Sequence, residues 1–84
     1  KYITQLGEGR WVLDGRLPIE DVQSLDLPVP ESDEYDTIAG WVLVRLGHIP
    51  LPGERVVENG VTFTVQTVRR RRIARLLVQR STPE

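Results

Sequence analysis

The sequence predicts an α+β fold: a small antiparallel sheet with two helices packed on one side, in the order β-β-α-α-β-β-β. Three observations carry that reading. Asn59-Gly60 follows a strand over residues 54–58 and precedes Val61, Phe63 and Val65 alternating with Thr62, Thr64 and Gln66, the strongest short-range signal for a hairpin. An apolar segment from Ile38 to Leu46 is preceded by Asp36-Thr37, either of which is a good N-cap, and is ended by Gly47 with Pro50 soon after. Strands and helices come in runs rather than alternating, without repeats or low-complexity tracts, so the sheet is antiparallel.

Each element has a local cause. Ile3 and Leu6 lead into Gly7-Glu8-Gly9, and Arg10-Trp11-Val12-Leu13 reads as a returning strand, so the chain opens on a hairpin. Asp14-Gly15 breaks that strand. Leu17-Pro18 then opens a short helix, with the proline at the first helical position because its missing N–H would be unpaired there, and Ile19 and Val22 form the apolar face. Pro28 and Pro30 delimit the longest loop, and no regular element fits between Asp26 and Asp36. In the second helix a spacing of about 100° per residue groups Ile38, Ala39, Val42, Leu43 and Leu46 on one face and leaves Trp41 and Val44 outside it. Gly40 in the helix interior points to a close approach by another backbone. Residues 73–78 form the last strand, whose apolar phase is ambiguous and admits a bulge. The domain therefore covers residues 1–80, with 81–84 as a tail.

Composition narrows the function. The 84 residues suffice for one domain with a modest core, and 39% hydrophobic with 27% charged residues is too apolar for disorder. Without cysteine the chain has no disulfide, zinc-thiolate site or thiol nucleophile. The longest apolar run, Trp41-Val42-Leu43-Val44, is far short of the roughly 20 residues a membrane helix needs. The sequence begins at Lys1 without a basic-then-apolar leader and reads as a piece of a longer protein. A net charge of −1 argues against nucleic-acid binding through the overall field. The charge is nevertheless polarised. Residues 20–36 hold seven acids and no base, whereas residues 69–80 hold six arginines and no acid.

Several residues admit both a functional and a structural reading. Asp33, Glu34 and Asp36 offer oxygen ligands for a weak Mg²⁺ or other divalent site, but a solvated loop whose last acid meets the next helix's dipole explains them as well. Arg69, Arg70, Arg71 and Arg72 could meet an acidic partner, a phospholipid headgroup or a nucleotide phosphate, or simply be solvated. Trp41 and Val44, and with them Trp11, are candidates for a contact surface, against burial in the core. Arg16 has a planar fork suited to Asp14 or Asp36. His48 has no cysteine or second histidine nearby and reads as a loop or helix-end residue.

Three motifs occur in order: Trp11-Val12-Leu13-Asp14-Gly15-Arg16-Leu17-Pro18-Ile19, then Glu34-Tyr35-Asp36-Thr37-Ile38-Ala39-Gly40, then Leu46-Gly47-His48-Ile49-Pro50 followed by Gly53-Glu54. Together they resemble the transporter-associated domain of the CorC/HlyC family, over nearly the whole chain from Tyr2 to Arg80. The resemblance implies a small α+β sandwich of the class shared with FAD-binding domains, at the C-terminal end of a longer protein behind a pair of CBS domains and often a transmembrane domain. It also implies a place on the cytoplasmic face of the cell membrane. The family is associated with magnesium and cobalt efflux, with haemolysin-like membrane proteins and in some members with sodium/proton antiport, and the domain is thought to modulate transport. It assigns no catalytic residues and no cofactor. Members commonly carry an acid-and-glycine turn before the last strand, where this chain has Arg69-Arg70-Arg71-Arg72.

The expectation is therefore a non-enzymatic accessory domain that docks on CBS partners or on a second copy of itself. The alternative is a direct sensor of a divalent cation or small ligand.

Overall fold

The structure is a computed structural model and describes residues 2–81; most of the expected tail lies outside them. Five strands, β1 (Ile3–Gly7), β2 (Arg10–Asp14), β3 (Arg55–Glu58), β4 (Val61–Arg69) and β5 (Arg72–Arg80), form one antiparallel sheet in the order β1-β2-β5-β4-β3. Helices α1 (Ile19–Gln23) and α2 (Ile38–Leu46) lie between β2 and β3 in sequence. The expected class and element order are borne out.

Side-chain alternation decides which face of the sheet is covered. Val56, Phe63, Val78 and Trp11 are register partners in a row across β3, β4, β5 and β2, and all four are buried. A second buried row joins Val65, Leu76 and Leu13. Ile19 and Val22 of α1 and Ile38, Trp41 and Val42 of α2 complete the same cluster. The opposite face carries Thr62, Thr64, Gln66, Arg75 and Gln79, and none of these is buried.

The ambiguous phase of the last strand has a definite cause. The β4–β5 ladder pairs Val65 with Leu76, Thr67 with Arg75 and Val68 with Ile73, so Gln66 and Ala74 fall out of register. These irregularities let Ile73 and Leu76, three positions apart, both enter the core.

Three local readings need correction. Pro18 is the N-cap of α1 rather than its first residue: its ψ of 151° is extended, and the helix begins at Ile19. The loop after α1 is irregular as expected but not simply solvated, since Leu27 and Val29 are buried while Pro30 is exposed. The buried stripe of α2 is Ile38, Trp41 and Val42, with Ala39, Leu43 and Leu46 only partly covered. Trp41 is 2% exposed and meets Phe63 edge to face at 4.8 Å, so it is a core residue and not a contact surface. Trp11 is buried too. The bounds of α2 match expectation: Thr37 Oγ1 accepts from the Gly40 N–H, and Gly47 ends the helix at φ 76°.

Candidate functional site

The motif Asp14-Gly15-Arg16 fastens three elements. A β-carbon on Gly15 would lie 2.0 Å from the Ile73 carbonyl oxygen, so only glycine lets this loop reach β5. There Gly15 N–H donates to the Ala74 carbonyl and the Ala39 N–H donates to Gly15, joining β5 to the start of α2. The Arg16 guanidinium donates through Nε and Nη2 to the two Asp14 oxygens, both at 3.1 Å, and the Arg16 backbone N–H adds a third bond. Those bonds hold the Asp14 carboxyl below its ordinary pKa. Of the two acids expected for Arg16, the partner is Asp14.

The acidic loop folds back on itself. Ser32 and Tyr35 form an isolated bridge, Ser32 Oγ accepts from the Glu34 N–H, and the Tyr35 hydroxyl donates to the Pro30 carbonyl. Partial burial, and then the nearby Glu34 charge, push the Tyr35 pKa up. Asp33, Glu34 and Asp36 are exposed. Asp33 and Asp36 join Glu20 and Glu31 around an open hollow of about 610 Å³, whereas Glu34 does not line it. Among the described residues no group of three or more His, Cys, Asp or Glu side chains converges as a metal centre would require. Glu20 and Glu31, part of the acidic stretch in the sequence, join this hollow through tertiary pairing, since the Pro18–Thr37 bridge brings α1 to the loop and leaves no local sequence signal.

His48 is held between two acceptors: Nδ1 is 2.9 Å from the Leu46 carbonyl and Nε2 is 2.6 Å from Glu54 Oε1. Because neither acceptor carries a proton to donate, the arrangement favours the imidazolium, and the His48 pKa is raised, chiefly by Glu54. Glu54 also accepts from the Leu51 N–H, which lowers its own pKa most, followed by His48. Together they clamp the loop between α2 and β3, in which His48 lies just past the helix end.

Val44 is 46% exposed on α2, and Ile49 and Leu51 are exposed in the loop that follows. Arg69 to Arg72 sit at the far tip of the β4–β5 hairpin, all exposed.

The sequence model of the CorC_HlyC family, the transporter associated domain, matches residues 4–82. This chain belongs to that family. The CorC_HlyC fold is also what its solved neighbours share. A CorC-associated region from Neisseria meningitidis MC58, named for Mg²⁺ and Co²⁺ transport, is 35% identical with a TM-score of 0.86, over 95% of this chain and 99% of that one. The domain of a Xylella fastidiosa Temecula1 hemolysin, solved in complex with Mg²⁺ and Mn²⁺, is 28% identical with a TM-score of 0.83, over 98% of this chain and 100% of that one. The domain from a CBS domain protein of Porphyromonas gingivalis is 29% identical with a TM-score of 0.82, over 98% and 100%. The polyamine export protein of Salmonella typhimurium is 39% identical over 82 residues, 95% of this chain. The chain spans only 18% of that relative's length.

Proposed function

We propose that this CorC_HlyC domain is a non-catalytic regulatory module of a longer cation-transport protein, acting at the cytoplasmic face of the membrane by docking on a CBS-domain pair and the transmembrane part of the same chain. The observation that carries the reading is that the chain matches only 18% of the polyamine export protein, while domains of the same fold come from a region associated with a Mg²⁺ and Co²⁺ transporter and from a CBS domain protein. Docking regulates only through a difference in affinity between transporter states, so the domain biases whichever state offers it the better surface. The relatives' names give two kinds of cargo, divalent metal ions and polyamines. Both are multiply charged cations, and the proposal extends to that class. The expected Mg²⁺ and Co²⁺ efflux is one case of it.

Deleting residues 2–81 from the full-length protein and measuring export of Mg²⁺, Co²⁺ and spermidine tests the reading. Transport with unchanged rate and unchanged response to cargo would end it.

A second reading, direct sensing of the cation, draws on the metal-bound Xylella relative; the acids around the hollow do not converge as a metal centre, so an ion there would be held weakly and largely through its own waters. Saturable Mg²⁺-dependent amide shifts confined to residues 31–37 at constant ionic strength would favour it over docking alone.

A further inference from the structure

The β4–β5 hairpin turns through Arg70 and Arg71, whose φ angles are 50° and 67°. The tight hairpin between β3 and β4 places Asn59 and Gly60 at 47° and 78°. Asparagine and glycine suit that left-handed conformation, and arginine does not. The strained turn is closed by Arg69 and Arg72 as direct cross-strand partners, a like-charge pairing that opposes the hairpin. Local stability therefore does not explain four consecutive arginines here.

Beside the hairpin lies a hollow of about 510 Å³ whose lining includes Arg16, Arg69, Arg72 and Arg75, with Thr67 and Asp14. Asp14 is already held by the Arg16 fork. The ion pairs among the described residues are Arg16–Asp14, Arg45–Glu58 and His48–Glu54, so Arg69, Arg72 and Arg75 face the hollow without a carboxylate of their own. Three uncompensated guanidinium groups from two adjacent strands match an anion that carries more than one charge and several oxygens. A single carboxylate would occupy one fork; a phosphate can engage two or three. The volume is in the range of small-ligand sites.

We propose that the arginine-lined hollow at the β4–β5 hairpin binds a phosphate group, presented by an anionic phospholipid headgroup or by a free polyphosphate. This goes beyond the docking reading and does not depend on it.

The test uses the 84-residue chain in two arms. In one, sodium tripolyphosphate is titrated at constant ionic strength and followed by amide shifts and calorimetry. In the other, the chain is sedimented with vesicles of phosphatidylcholine alone or of phosphatidylcholine mixed with phosphatidylglycerol. The informative variant is Arg69→Gln with Arg72→Gln; Arg10→Gln with Arg55→Gln removes the same charge from exposed positions that do not line the hollow. Amide dispersion confirms that each variant is folded. The proposal expects saturable shifts at Arg16 and residues 67–75, or sedimentation with the anionic vesicles alone. Either binding should weaken at least about tenfold in the first variant and remain within about twofold in the second. Tripolyphosphate saturation identifies a free polyphosphate as the source, and vesicle binding without it identifies a lipid headgroup. Absence of binding in both arms, or equal weakening by the two variants, overturns the site. So does concentration-dependent self-association that the first variant abolishes, because carboxylates of a second copy would then fill the hollow.

Discussion

A β-carbon at Gly15 would meet backbone rather than a flexible side-chain end, so no rotamer change can relieve it. Gly15→Ala is expected to destabilise the domain by at least about 2 kcal/mol through overpacking and loss of the bonds to Ala74 and Ala39. Urea denaturation followed by tryptophan fluorescence measures this, and an unshifted midpoint would mean the loop relaxes away from β5. The sequence made Gly15 a turn residue but gave no sign of that approach, because it depends on which strand lies beside the loop. The His48–Glu54 pair was equally hidden, since nothing local says that a helix-end histidine will meet an acid across a proline-containing loop. Its pH dependence follows from the two directions of shift. The raised His48 pKa contributes stability below the ordinary imidazole value, and this is lost as pH rises through the folded value. The lowered Glu54 pKa contributes above the ordinary carboxylate value, and this is lost as pH falls through the folded one. Both groups are partly exposed and screened, so the effect on stability is small. The sharper check is an imidazole proton titration. His48 should titrate above its ordinary value and return towards it in Glu54→Gln; an unchanged midpoint would dismiss the pair.

At the scale of elements, α1 was legible in its face, Ile19 and Val22, and α2 in its bounds but only partly in its face. Thr37 and Gly47 announce the ends of α2 through chemistry local to each end, and Thr37→Ala should cost about 1 kcal/mol in urea denaturation. The face of α2 was partly misread because apolar residues surround nearly the whole helix, leaving Arg45 as the only charged marker. Even that marker misleads, since Arg45 lies over the Trp41 ring and pairs with Glu58 on β3, on the same side as the buried stripe. The two hairpins at β4 form a matched experiment. Asn59-Gly60 was readable as a turn because its residues suit positive φ, whereas Arg70-Arg71 was not, although both adopt the same conformation. Replacing Arg70→Asn and Arg71→Gly should therefore stabilise the domain by about 1–2 kcal/mol while sparing the arginines that line the hollow. A higher denaturation midpoint with phosphate affinity retained is the expected result. An unchanged midpoint would show that this turn carries no strain.

For the whole molecule, strand order matters more than strand count. The sheet order puts β5, last in sequence, at the centre between β2 and β4, while β1, first in sequence, is an edge strand with every residue exposed. The sequence offered each strand but not this order, since pairing between β2 and β5 joins residues near opposite ends of the chain and leaves no local mark. Both buried rows cross β5, through Val78 and Leu76. Truncation after Arg71 should accordingly leave an unfolded chain with collapsed amide dispersion. It removes Ile73, Leu76 and Val78 from the core and deprives both β2 and β4 of a partner. Truncation before Glu8 removes a strand of 5 residues, against 9 for β5, but no buried side chain, and exposes only the outer edge of β2. That chain should keep its fold at reduced stability, because the hydrogen bonds it loses are each worth about 1 kcal/mol net. A β1-deleted chain with the spectrum of an unfolded protein would show that the edge strand, and not β5 alone, is needed to close the sheet.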